Sequence, residues 1–158
     1  MTTETAAEGT VAARRIAEGT AFSIILALSF SHMLNDMMQS LIPALYPMIK
    51  STYGLSFVQI GLMTTAMQVT SSMLQPVVGL VADHRPQPFS LSVGMGATLI
   101  GVLMLGSAAT YPSLLLGSAL VGIGSAVFHP EASRVARMAS GGRHGLAQSL
   151  FQVVWGGV

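Results

Sequence analysis

Side chains that could handle a proton are concentrated within one long apolar segment of the sequence. The segment spans residues 21–49, and in it His32, Asn35, Asp36 and Gln39 follow one another at i, i+3, i+4 and i+7. On an α-helix this spacing places all four side chains on one face. A carboxylate and an imidazole one turn apart can share a proton, whereas amides do not titrate and act through hydrogen bonds.

The function expected of these residues depends on where the helix lies. Within a lipid bilayer an ionisable group is costly and marks an ion or substrate path, so Asp36, helped by His32, is the expected proton-coupling site. A structural hydrogen-bond cluster at a helix interface is the alternative. A second polar stripe, at i, i+4, i+7 and i+11, includes Gln68 and Gln75. With Asn35 and Gln39 these side chains either line a substrate path or join neighbouring helices.

Composition indicates a membrane protein. Of the 158 residues, 8% are charged and 51% hydrophobic, against about 25% charged residues in soluble globular proteins. The net charge of +1 gives no basic field for nucleic acid, and there is no cysteine for thiol chemistry. The single lysine, Lys50, does not belong to a phosphate-binding loop, and no glycine cluster completes a dinucleotide fingerprint. An enzyme, a cofactor and a metal are therefore not expected.

Hydrophobic periodicity and turn residues divide the chain into an N-terminal tail and a helical bundle. Residues 1–18 are polar and are expected to form a disordered cytoplasmic tail, with a signal peptide as the alternative interpretation of the N-terminal region. Residues 19–158 are expected to form an all-α transmembrane bundle in which small residues such as Gly94, Gly101 and Gly122 allow close helix contact. The predicted helices cover about 19–49, 57–82, 89–109, 113–138 and a truncated 145–158.

The distribution of positive charge predicts the orientation of this multi-pass protein. When the turns are assigned alternately to the two sides, six arginines fall on one side and Lys50 alone falls on the other. Because cytoplasmic loops are enriched in Lys and Arg, the N-terminus is predicted to be cytoplasmic. The arginines are Arg14, Arg15, Arg85, Arg134, Arg137 and Arg143.

Two charged sites fall at the predicted cytoplasmic ends of helices and are candidates for a gate made in one state and broken in another. An ordinary charged turn and a structural ion pair are the alternatives. A His-x-Glu metal pair is a further possibility, but a third ligand cannot be identified. The candidate gate residues are Gly79, Asp83 and Arg85 at the first site and His129, Glu131, Arg134 and Arg137 at the second.

The turn that begins at Gly79 resembles the cytoplasmic loop between helices two and three of the major facilitator superfamily. That loop follows roughly the pattern G-x-L-A-D-R-x-G-R-R, and Gly79, Ala82 and Asp83 match it. Val81 replaces the leucine and Pro86 the second glycine, so the match is partial.

Longer segments are similar to bacterial fosmidomycin resistance proteins, a subfamily of the same superfamily. The resemblance covers about residues 20–152 and implies proton-driven antiport of drug-like or small anionic compounds out of the cell, and hence antibiotic resistance. It implies the bacterial inner membrane as location, lipid, protons and a small-molecule substrate as partners, and the proton gradient as energy source. The similar segments are His32–Asp36, Gln39–Pro47, Tyr53–Phe57, Leu74–Leu80 and Phe128–Arg143.

The chain departs from that family in length. Such carriers have about twelve helices in two halves, whereas this sequence contains four full helices and part of a fifth. The sequence is therefore interpreted as an N-terminal fragment that needs a C-terminal half for transport. A major facilitator carrier of an ordinary metabolite and a non-transporting membrane fragment remain as alternatives.

Overall fold

The computed structural model describes the backbone of residues 2–84 and 89–153 and the side chains of residues 22–82, 84, 89–147 and 149. These residues form five α-helices without a strand, as expected for an all-α fold. The helices are α1 (Thr2–Tyr53), α2 (Phe57–His84), α3 (Ser90–Gly106), α4 (Tyr111–Ala139) and α5 (His144–Val153).

The main difference from the predicted helices lies at the N-terminus. Helix α1 begins at Thr2, whereas residues 1–18 were predicted to be a disordered tail. Alanine, glutamate and arginine, which favour helices, make up much of this stretch, and its polarity alone led to the prediction of disorder. The other described boundaries lie within three residues of the predicted ones, except that α1 extends to Tyr53. Residues 154–158 lie outside the described part of the chain.

The turn between α1 and α2 is defined by its residue types. Gly54 has a φ of +63°, a conformation that residues with a Cβ atom rarely adopt. The Ser56 hydroxyl accepts the Gln59 backbone N–H at 3.2 Å, and the Gln59 side chain accepts the Ser56 N–H at 2.9 Å. This reciprocal capping box fixes the first turn of α2.

The structure consists of two compact units, of which the larger comprises residues 34–132. One end of this unit contains an apolar cluster of Ile49, Leu55, Met63 and Leu114. Tyrosine hydroxyls join helices around the cluster. The Tyr46 hydroxyl lies 2.8 Å from that of Thr64, that of Tyr53 donates to the Ala108 carbonyl at 2.5 Å, and that of Tyr111 donates to the Gln59 carbonyl at 3.1 Å.

Glycines on two faces of α4 let α2 and α3 approach it closely in the larger unit. A Cβ atom on Gly124 would lie 2.6 Å from the Gly94 carbonyl oxygen of α3. A Cβ atom on Gly122 would overlap Thr70 and Met67 of α2. The predicted role of Gly94 and Gly122 in helix packing is therefore confirmed, and these contacts fix the position of α4 against both neighbours.

The smaller unit comprises residues 1–33 and 133–158. In its described part, α4 and α5 are joined by a turn in which Gly141 and Gly142 have positive φ angles. The Ser140 hydroxyl lies 2.9 Å from Nδ1 of His144. Ile25, Leu28, Ala136 and Ala147 are buried.

Large hydrophobic side chains are exposed along the length of the helices. On α1 the exposed large hydrophobic residues recur every three or four positions, which is one face of a helix. Among the described residues, α4 alone combines the length and apolar composition needed to cross a bilayer, and α3 is apolar but has 17 residues. The exposed residues of α1 include Phe22, Leu26, Phe30, Met37, Leu41, Leu45 and Met48.

Candidate functional site

The candidate site is centred on a carboxylate and an imidazole from two helices of the larger unit. Oδ1 of Asp36 on α1 lies 3.7 Å from Nε2 of His129 on α4. The Asp36 side chain is 11% exposed, whereas that of His129 is 36% exposed. A largely buried carboxylate is therefore joined to a ring that remains accessible.

The contacts of His129 define where hydrogens must lie. Its Nδ1 atom is 3.0 Å from the carbonyl oxygen of Ser125 and 3.2 Å from the Ser125 hydroxyl. An unprotonated Nε2 would present a lone pair to the Asp36 carboxylate, which is repulsive. The contact is favourable when a hydrogen lies between the two groups, carried either by Nε2 or by the Asp36 carboxyl. At 3.7 Å the contact is electrostatic and longer than a hydrogen bond.

Hydroxyl and amide groups continue this pair into α2. The Ser71 hydroxyl donates to the Ser125 hydroxyl at 3.4 Å, and Nε2 of Gln75 donates to the Ser71 hydroxyl at 3.3 Å. Gln75, predicted to line a substrate path, is therefore connected to the Asp36–His129 pair. Ser71 and Gln75 thus bring polar groups of α2 to the pair formed by α1 and α4.

Asn35 and Gln39 contribute buried amide donors. Asn35 is fully buried, and its Oδ1 atom accepts a hydrogen bond of 3.2 Å from the Thr98 hydroxyl on α3. Within the described part of the chain, Nδ2 of Asn35 and Nε2 of Gln39 are buried without a hydrogen-bond partner. Since an unsatisfied buried N–H is costly, these two atoms are available for an acceptor oxygen.

Two further predicted residues differ in their surroundings. His32 is buried and lies one helical turn before Asp36 on α1. Gln68 is exposed on α2, where its backbone carbonyl accepts the Ser72 hydroxyl at 2.8 Å. Within the described part of the chain, the Gln68 side chain makes no hydrogen bond to the Asp36 group, in contrast to Gln75.

The predicted gate residues belong to both compact units. Glu131 is 1% exposed in the larger unit, whereas Arg134 is half-buried and Arg137 exposed in the smaller unit. Gly79 is half-buried, and a Cβ atom there would meet nothing within 4 Å. The side chain of Asp83 and the whole of Arg85 lie outside the described residues. Their gate role stays a prediction.

A separate cavity of about 310 Å³ lies among α2, α3 and α4 of the larger unit. Its wall is formed by valines together with Phe89, Ser90 and Glu131. It shares no lining residue with the Asp36 group, and its lining is mostly apolar.

His129 was predicted to belong to the cytoplasmic gate, and the structure places it beside Asp36. A signal for this position exists in the sequence. Ser118, Gly122, Ser125 and His129 follow one another at i, i+4, i+7 and i+11, the same spacing as the polar stripe of α2. This spacing places His129 on the same face of α4 as Gly122, which packs against α2.

Comparison with known proteins identifies the class to which this arrangement belongs. Residues 28–157 match the family model described as Major Facilitator Superfamily. The chain therefore belongs to the major facilitator superfamily, a family of membrane transporters, and the expectation of a transporter rather than an enzyme is confirmed.

Two curated relatives refine this assignment. The chain is 59% identical over 134 residues to the Fosmidomycin resistance protein of Escherichia coli (strain K12), which covers 85% of this chain and 33% of that protein. It is 43% identical over 134 residues to the Uncharacterized MFS-type transporter YfnC of Bacillus subtilis (strain 168), with the same coverage of 85% and 33%. The chain thus spans about a third of the length of these relatives, and the predicted resemblance is confirmed. No solved structure matches the chain significantly.

Proposed function

We propose that this chain forms part of a proton-coupled secondary transporter that exports a small drug-like solute of the fosmidomycin type. Transport follows alternating access, with outward movement of the solute exchanged for inward movement of protons. Such a carrier also requires a C-terminal half, and this chain spans about a third of the length of its relatives.

The observation that carries the proposal is the 3.7 Å approach of Asp36 and His129. Lipid offers no water to solvate a charge, so burying an ionisable group in a membrane helix costs free energy. Such groups therefore usually mark functional sites. One proton added to the pair is shared by Nε2 of His129 and the Asp36 carboxyl, and it leaves when the two helices separate. Asp36 is the coupling carboxylate and His129 is its imidazole partner, while the role of His32 stays a prediction.

The solute path runs along the same face of α1. The buried amide donors of Asn35 and Gln39 and the amide of Gln75 offer hydrogen bonds to a solute rich in acceptor oxygens. Resistance of fosmidomycin type is supported by the name of the Escherichia coli relative. The bacterial inner membrane and a cytoplasmic N-terminus are supported by the excess of arginines over Lys50 on one side.

Growth of drug-sensitive bacteria tests the proposal. Cells expressing the gene's complete reading frame are challenged with fosmidomycin, and Asp36→Asn is compared with the unsubstituted protein at equal membrane abundance. Asparagine keeps the size of the side chain but cannot carry an exchangeable proton, so resistance should be lost.

The control is Ser72→Ala, which changes an exposed hydroxyl bonded within α2 and should leave resistance intact. Full resistance with Asp36→Asn would remove Asp36 from the mechanism. If the unsubstituted reading frame confers no resistance, transport of a panel of metabolites is measured in the same cells. Transport of one of them would indicate a metabolite carrier, and transport of none would indicate a chain without transport activity.

A further inference from the structure

A directed chain of hydrogen bonds ends at the ring of His129. Gln75 donates to Ser71, and Ser71 donates to Ser125, at 3.3 and 3.4 Å. A hydroxyl has one hydrogen, so the Ser71 hydrogen is committed to Ser125. The hydrogen of the Ser125 hydroxyl is then free to point at Nδ1 of His129, 3.2 Å away.

Nδ1 of His129 thereby has two competing partners from the same residue. The Ser125 hydroxyl is a donor, which requires an unprotonated Nδ1. The Ser125 carbonyl, 3.0 Å away, is an acceptor, which requires a hydrogen on Nδ1. The partner that prevails decides which ring nitrogen carries the hydrogen of the neutral imidazole.

We propose that Ser71 and Ser125 are positioning residues that select the tautomer of His129 and so determine what Asp36 faces. When the Ser125 hydroxyl donates to Nδ1, the hydrogen lies on Nε2 and points towards the Asp36 carboxylate. When the Ser125 hydroxyl does not donate, Nδ1–H donates to the Ser125 carbonyl and Nε2 presents a lone pair. A change in the contacts of the Gln75 amide thereby alters which ring nitrogen of His129 carries the hydrogen, and so what faces Asp36.

The tautomer selection stands on the hydrogen bonds alone, whereas its use in transport rests on the proposed function. In the described part of the chain, the Asp36 carboxylate on α1 faces this ring at 3.7 Å. His32 lies one turn before Asp36 on α1, and Glu131 follows His129 by two positions on α4. The contacts that α2 makes here come from hydroxyl and amide groups, which do not titrate.

Nitrogen NMR of the chain labelled with ¹⁵N-histidine, in lipid nanodiscs, measures the tautomer directly. The signal of His129 is identified by its loss in His129→Gln. In the unsubstituted chain Nδ1 should be mostly unprotonated in the neutral ring. Ser125→Ala should raise the ratio of the Nδ1–H to the Nε2–H form by about fivefold, the factor that one ordinary hydrogen bond supplies. Ser71→Ala should raise the ratio by less, because it removes only the hydrogen bond that polarises the Ser125 hydroxyl.

Matched variants separate positioning from general disturbance. Ser72→Ala removes the neighbouring exposed hydroxyl and should leave the ratio unchanged, and Ser71→Thr keeps a hydroxyl and should restore it. Unchanged signals of His84 and His144 report an intact fold. An unchanged ratio in both Ser71→Ala and Ser125→Ala, or an equal change in Ser72→Ala, would overturn the proposal.

The two proposals fail separately. If Asp36→Asn abolishes resistance while Ser71→Ala leaves the tautomer ratio unchanged, the relay is wrong and the proton site stands. If the ratio responds but Asp36→Asn retains resistance, the relay exists without the proposed function.

Discussion

Nε2 of His129 lies 3.7 Å from Oδ1 of Asp36, although the two residues belong to helices at opposite ends of the larger unit's sequence. Helix α4 brings the imidazole to this position because Gly122 and Gly124 let it approach α2 and α3 closely. The Asp36–His129 contact therefore depends on small residues that carry no chemistry themselves.

Gly124 is expected to be required for the packing of α4. In Gly124→Ala the new Cβ atom would lie 2.6 Å from the Gly94 carbonyl oxygen, so α3 and α4 must separate. We expect a loss of about 1–3 kcal/mol in the free energy of unfolding, measured by titration of the detergent-solubilised protein with sodium dodecyl sulfate. Gly96→Ala is the control, because a Cβ atom there meets nothing within 4 Å. Equal stability of the two variants would contradict the close contact.

Gln39 offers a way to distinguish solute binding from structural support. Its Nε2 atom is buried without a hydrogen-bond partner in the described part of the chain, so Gln39→Leu should not lower the stability of the protein. If that N–H binds the solute, the fosmidomycin concentration tolerated by cells should fall about fivefold, the equivalent of one hydrogen bond. Gln68→Leu, at an exposed position of α2, should leave resistance unchanged. A stable Gln39→Leu protein with full resistance would exclude Gln39 from the solute path.

Local patterns in the sequence predicted much of the fold. Turn residues such as Gly54 and the Ser56–Gln59 capping box define helix ends, and these depend on neighbours along the chain. The extension of α1 to Thr2 was not predicted. The polar composition of residues 1–18 favours disorder, whereas their alanine content favours a helix, so two local signals conflict in this stretch.

The candidate site was predictable in part. The spacing of Asn35 and Asp36 on α1 places them on one face, and their burial agrees with that face being internal. The partner of Asp36 was not predicted, because the axial register of α4 against α1 depends on interhelical contacts. Examples are those of α3 with α1 (Thr98 with Asn35) and with α4 (Gly94 with Gly124). Sequence periodicity defines which face of a helix is buried, but it does not define what lies opposite.

Transport driven by a proton gradient shows whether Asp36 and His129 carry the coupled proton. Inside-out vesicles containing the product of the complete reading frame are loaded with a pH gradient, and the uptake of labelled fosmidomycin is measured. We expect uptake by the unsubstituted carrier and by the control His84→Gln. The ring of His84 is exposed and contacts the carbonyl four residues earlier, as that of His129 does. Asp36→Asn should reduce uptake to the level of vesicles without the carrier, and His129→Gln should reduce it strongly. Gradient-driven uptake by Asp36→Asn at the rate of the unsubstituted carrier would contradict the assignment of the proton to this pair.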